Sequence, residues 1–85
     1  MYQISFTKEA SKDLKKLDKK FLSAVDKALN KLSLDPKVGF PLVGQLKGYW
    51  KLRFSNYRII YQIFEKKLLI IVFEIKHRKE VYKKL

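Results

Sequence analysis

The chain has 85 residues, enough for one small core, and at 47% hydrophobic and 14% aromatic it is too apolar to be disordered. Lys and Arg total 20 against 8 Asp and Glu, and this formal net charge of +12 points to nucleic acid or another polyanion, such as an acidic protein, as partner. Cysteine is absent, which excludes disulfides, thiolate metal sites and cysteine nucleophiles and fits a reducing cytoplasm.

In chain order, Tyr2, Ile4 and Phe6 alternate with Gln3 and Ser5, the pattern of a short strand with one buried face. No signal peptide is expected ahead of it. Thr7 is suited to cap the helix that follows, in which Ala10, Leu14 and Leu17 fall at helical spacing among Lys8, Lys12, Lys15 and Lys16. Asp18 reads as the next N-cap. The second helix carries Phe21, Leu22, Val25, Ala28, Leu29 and Leu32, a stripe broad enough to lie on a sheet, and Asp35-Pro36 ends it. Two helices with a basic surface suit direct nucleic-acid contact; ordinary solvated lysines are the competing reading.

Residues 35–48, DPKVGFPLVGQLKG, hold both prolines and all three glycines and read as a loop. Val38, Phe40, Leu42 and Leu46 are expected to pin it to the body. Lys47 stands at the entrance to the next strand. Residues 49–63, YWKLRFSNYRIIYQI, form the most informative stretch. Trp50, Leu52 and Phe54 alternate with Lys51 and Arg53, Ser55-Asn56 supplies turn chemistry, and Tyr57–Tyr61 returns as a second strand. The polar face then presents Lys51, Arg53 and Arg58. Such like charges on a rigid sheet are best explained by an anion, most simply a phosphate, against the alternative of a solvated charged face. Glu65-Lys66-Lys67 turns the chain into Leu68–Ile75, a nearly all-apolar strand whose composition suits a central or doubly covered position. No apolar run approaches the length of a membrane span. The expected order is β-α-α-β-β-β: an α+β fold with two N-terminal helices packed on a four-stranded, mainly antiparallel sheet. Its first strand is free to lie beside any edge.

If adjacent strands pair in sequence order, the last strand ends beside Arg58, so Arg78 and Tyr82 in the tail can face the cationic cluster. Arg58 has an alternative partner across the strands in Glu74. His77 is the only histidine, so a two-histidine ribonuclease mechanism is excluded, and neither a transition-metal site nor a hydrolase triad has support. The acids are scattered, without paired carboxylates; no metal and no cofactor are expected. Cations, one imidazole and phenols suit attack on an RNA phosphodiester by its own 2′-hydroxyl. Arginines neutralise the phosphorane, and a base and an acid move the protons. A lysine crowded by arginines releases its proton more readily, because like charge disfavours the charged form.

At WKLRFSNYRIIY and IKHRKEVY the chain resembles the RelE/ParE superfamily of toxin–antitoxin toxins, and more closely its RelE branch. The opening strand, Asp13-Leu14, Lys16-Leu17, Pro36 and Leu46-Lys47-Gly48 extend the match nearly end to end, as a single RelE-like toxin domain over residues 1–85. The resemblance implies a cytoplasmic, metal-independent endoribonuclease that cuts messenger RNA at the ribosomal A site and is held inactive by an acidic, RelB-like antitoxin, with a heterotetramer as one possible assembly. It implies catalytic positions at Lys51, Arg58, Arg78 and Tyr82, with His77 a second candidate for general acid; beside these, Lys47 and Arg53, from their place at the cationic strand, and Tyr49, as a stacking ring, read as RNA-binding residues. Tyr49 stands where the best-known branch carries a lysine linked to proton transfer, so Lys51 alone, or Lys51 with His77, divides the acid and base roles. Two other readings remain open. One is a ParE-like poison of DNA gyrase without nuclease activity; the other is a non-catalytic nucleic-acid-binding module.

Overall fold

The computed structural model describes residues 1–77. Strand β1 (Gln3–Phe6) leads into helix α1 (Lys8–Lys16), and a 3₁₀ turn (Lys19–Phe21) leads into helix α2 (Leu22–Leu34). Strands β2 (Phe40–Pro41), β3 (Trp50–Phe54), β4 (Tyr57–Phe64) and β5 (Leu69–His77) follow. The caps act as expected. The Thr7 hydroxyl accepts from the Ala10 amide at 3.1 Å, and Asp18 accepts from Lys20 at 3.2 Å, so the break between the helices is a capped 3₁₀ turn.

The sheet corrects the expected architecture. It has five strands in the order β1-β5-β4-β3-β2, and it is mixed, because β1 runs parallel to β5 while the other pairs are antiparallel. The extra strand comes from the stretch expected to be loop: Phe40 and Pro41 pair with Lys51 and Trp50. Of the apolar side chains expected to pin it, Phe40 is 67% exposed, Val38 and Leu46 are also exposed, and Leu42 alone is half-buried. Backbone pairing holds it instead. The Leu42 amide donates to the Tyr49 carbonyl at 2.8 Å, and the Tyr61 hydroxyl donates to the Pro36 carbonyl at 2.7 Å. Gly39 permits the close approach, because a Cβ there would collide with the Lys51 carbonyl oxygen and the Tyr61 hydroxyl.

Helix and sheet share one core. Ala10, Leu17, Val25, Ala28 and Leu32 from the helical segments meet Phe54, Ile59, Tyr61, Ile70, Val72 and Ile75 from the sheet. Each fully buried aliphatic side chain of this kind contributes about 1.5–3 kcal/mol. Leu22, counted in the α2 stripe from its spacing, is exposed at the start of the helix. In β5 the inward residues are Ile70, Val72 and Ile75, a spacing of two and then three. A bulge causes the change: Ile60 pairs with Glu74 and Tyr61 with Val72, leaving Phe73 as the extra residue. In the β3–β4 turn it is Ser55, not Asn56, that takes the positive φ, at 50°.

Tyr61 gives the fold a sensitivity to alkali. Burial pushes its phenol from 10.0 up to about 12, with the Gly39 backbone hydrogen bond pulling the other way and the Asp35 charge adding to the rise. The folded state thus holds this proton more tightly than the unfolded chain. Its stabilising effect is complete below pH 10.0 and is lost as pH climbs towards 12. Urea denaturation across this range should show stability level to about pH 10 and falling above it. In Tyr61→Phe the Tyr61 share of that slope should vanish; an unchanged slope would assign the loss to other groups.

Candidate nucleic-acid interface

The alternation of β3 places Trp50, Leu52 and Phe54 towards the helices and Lys51 and Arg53 on the opposite face. Trp50 packs inward, stacked on Tyr61 at 6.4 Å between ring centroids. The hairpin register sets Arg53 directly opposite Arg58, and Lys51 opposite Ile60. Residues directly opposed in a sheet have Cβ atoms about 5 Å apart, and like charges there are destabilising. Among the described residues, none of Lys51, Arg53 and Arg58 takes part in an ion pair. Glu74 makes no ion pair with Arg58: the register puts Lys76 directly opposite Arg58 and Glu74 opposite Ile60, diagonal to the guanidinium.

Lys76 extends this row of cations but its charge is already matched. It is 6% exposed, and its ammonium donates to Asp13 Oδ1 at 2.6 Å and to Glu9 Oε2 at 2.5 Å. The other Asp13 oxygen accepts from the Ile75 amide at 3.0 Å. Burial pulls the Lys76 pKa down, but the two carboxylates outweigh it and hold the amine above the ordinary lysine range. Like Tyr61, this group favours the folded state at neutral pH and loses that effect only in strong alkali. Spacing alone gave no sign of Asp13's role: an acid in a lysine-rich helix reads as solvated until β5 is brought against it.

The other end of the same face is aromatic and apolar. Phe40 lies opposite Lys51 in the register, and Tyr49 makes an edge-to-face contact with Phe73 at 5.1 Å. Phe40, Pro41, Leu42 and Val43 border an open groove of about 530 Å³ whose far side is Lys51 and Arg53. Phe40 was absent from the site read in the sequence, although an aromatic between two turn residues before a cationic strand was its available signal. Lys47 is exposed and follows the 3₁₀ turn Gly44–Leu46.

The structure therefore brings together Lys51, Arg53 and Arg58, with Tyr49 beyond them. It does not bring His77 to them. His77 is in register with Tyr57, on the alternating set that faces the helices, and its ring meets Tyr57 edge-on at 5.1 Å and 88°. Tyr57 in turn stacks with Phe54 and meets Phe21. Arg78 and Tyr82 lie outside the described residues. No group of three or more His, Cys, Asp or Glu suited to hold a metal ion occurs among the described residues, and no helix among them is long and apolar enough to cross a membrane.

Two helices on one face of a mixed sheet, with cations projected from a rigid hairpin on the other, define a small basic α+β protein. The sequence profile of the ParE toxin of type II toxin–antitoxin systems (parDE) matches residues 4–82. The chain belongs to the RelE/ParE superfamily of type II toxin–antitoxin toxins. It is 34% identical over 85 residues to Toxin RelG of Mycobacterium tuberculosis, covering 98% of each chain, and 32% identical to a putative RelE-like toxin protein of Escherichia coli, covering 95% of this chain and 90% of that one. Among solved structures, the toxin–antitoxin complex RelBE2 of Mycobacterium tuberculosis matches with a TM-score of 0.83 at 35% identity, over 91% of this chain and 98% of that one. The isolated Escherichia coli RelE toxin matches over the whole of both chains with a TM-score of 0.80; at 22% identity this likeness speaks for the fold.

Proposed function

We propose that this toxin is an endoribonuclease that cuts messenger RNA on the ribosome, by attack of a 2′-hydroxyl on the adjacent phosphodiester, with residues 1–85 acting as one toxin domain. The observation that carries the reading is the Arg53–Arg58 pair beside Lys51, none of which has an ion-pair partner among the described residues, a cationic row that an RNA phosphate would neutralise. In this mechanism the 2′ oxygen forms a bond to phosphorus as the 5′ oxygen leaves, giving a 2′,3′-cyclic phosphate. A base takes the 2′ proton and an acid returns one to the 5′ oxygen. Arg58 stabilises the charge that develops on phosphorus. Lys51 shares its face and is the favoured proton-transfer group; His77 faces the helices and is less favourably placed. Arg78 and Tyr82 enter the proposal through the family resemblance, as a second phosphate-binding arginine and a base-orienting ring.

An acidic antitoxin of the RelB kind is the proposed regulator. Support comes from the RelBE2 match, which is itself a toxin–antitoxin complex, and from the net charge of +12. The matching family is described as ParE toxin, which keeps one second reading from the family resemblance in view: poisoning of DNA gyrase without cleavage of RNA.

Induction in cells followed by mapping of messenger RNA 5′ ends separates the two. The nuclease reading expects new ends within translated frames that disappear when translation is blocked. Growth arrest with intact messenger RNA and broken DNA would replace it with the gyrase reading.

A further inference from the structure

We propose that the groove between the Phe40–Val43 segment and β3 is a nucleobase subsite, in which a base of single-stranded RNA stacks on Phe40 while Lys51 and Arg53 hold the flanking phosphates. The inference rests on the reading that the partner is RNA and gives Phe40, expected from the sequence only to pin a loop, a role in binding.

Phe40 is a large apolar ring left 67% exposed and outside the hydrophobic core. Its position is nevertheless well determined. The register pairs it with Lys51, and the absence of a Cβ at Gly39 lets its strand close onto the Lys51 carbonyl. Arg53 is two residues further along β3, about 7 Å away on the same face. Tyr49, the other ring at this end, is already engaged with Phe73, so Phe40 is the ring that offers an open face. An aromatic platform bordered by cations is the pattern that binds single strands without sequence preference.

Pro41 argues against a peptide strand as the occupant. The edge strand β2 has two residues, and one of them is a proline without an N–H. Strand addition needs a row of edge donors and acceptors, which this edge lacks. The side-chain groove remains, and its chemistry of flat ring, ammonium and guanidinium matches a base with its phosphates.

The test uses a fluorescein-labelled 2′-O-methyl hexaadenylate, which has no free 2′-hydroxyl and cannot be cut by the proposed reaction. Binding to the full chain is followed by anisotropy at low salt. Phe40→Leu keeps the bulk and removes the π-face; it should weaken binding about tenfold, and Phe40→Trp should keep or tighten it. Arg53→Ala should weaken binding and flatten its salt dependence. Phe40→Leu binding within twofold of the wild type would overturn the subsite, as would failure of the wild type to bind the probe. Loss of antitoxin binding in Phe40→Leu with RNA binding unchanged would also overturn it, and would assign the groove to a peptide. A protein that passes this test yet cuts no messenger RNA keeps the subsite and loses only the nuclease reading.

Discussion

Asp13→Ala is expected to destabilise the protein by about 3 kcal/mol, the cost of removing one partner from a buried ion pair. Asp13 is 5% exposed, and each of its carboxylate oxygens is in use, one on the Lys76 ammonium and the other on the Ile75 amide. Truncation leaves a buried amine and a buried backbone N–H short of a partner at once. Glu9 does not compensate, since its side chain is 57% exposed and its attraction for Lys76 is weakened by water. Glu9→Ala should accordingly cost under about 1 kcal/mol. The two variants are compared by urea denaturation at neutral pH. Equal and small effects would show that the Lys76 cluster is a solvated pair rather than the clamp that fixes the end of β5 to α1. For a small domain with total stability of roughly 5–15 kcal/mol, the Asp13 effect is large enough to lower the amount of folded protein in cells.

Arg58→Ala is expected to cut messenger RNA cleavage by about 10²–10³-fold, the range seen when one donor to a developing oxyanion is removed. Its effect on stability should have the opposite character. Arg58 sits directly across from Arg53 and beside Lys76, and among the described residues it has no ion-pair partner. Removing it relieves repulsion, so the melting temperature should stay level or rise slightly. Loss of cleavage together with a marked fall in melting temperature would mean that Arg58 supports the fold, and the functional assignment would fail. Arg53→Ala serves as the comparison. As a phosphate-positioning group it should weaken binding and its salt dependence, with a smaller loss in the cleavage step.

The hairpin was legible from the residues because every signal in it is local. Alternation from Trp50 to Phe54 decides which side chains point inward, and Ser55-Asn56 sets the turn. Together they settle the register that puts Arg53 opposite Arg58. The helix caps at Thr7 and Asp18 were legible for the same reason, since a cap is read within three residues. So was the acid-poor, cation-rich composition that makes an anionic partner the expectation.

What the tertiary structure decided is non-local. The pattern of β1 suits any edge; it pairs in parallel with β5, where the Thr7 amide meets the Val72 carbonyl and its hydroxyl the Phe73 carbonyl. The nearly continuous apolar run of β5 hides its bulge, because residue type cannot show where a ladder skips a residue until the partner strand is in place. That skip puts His77 in register with Tyr57, away from the cations with which the family resemblance grouped it. Backbone pairing without an apolar signature made β2 out of a proline- and glycine-rich stretch and left Phe40 beside Lys51. The Asp13–Lys76 contact joins residues 63 apart, and its stabilisation exists only after burial has removed water from both charges. Local periodicity determined the elements and the face that carries the cations; long-range pairing and desolvation determined that Lys76 is neutralised within the fold, whereas Lys51, Arg53 and Arg58 have no ion pair among the described residues.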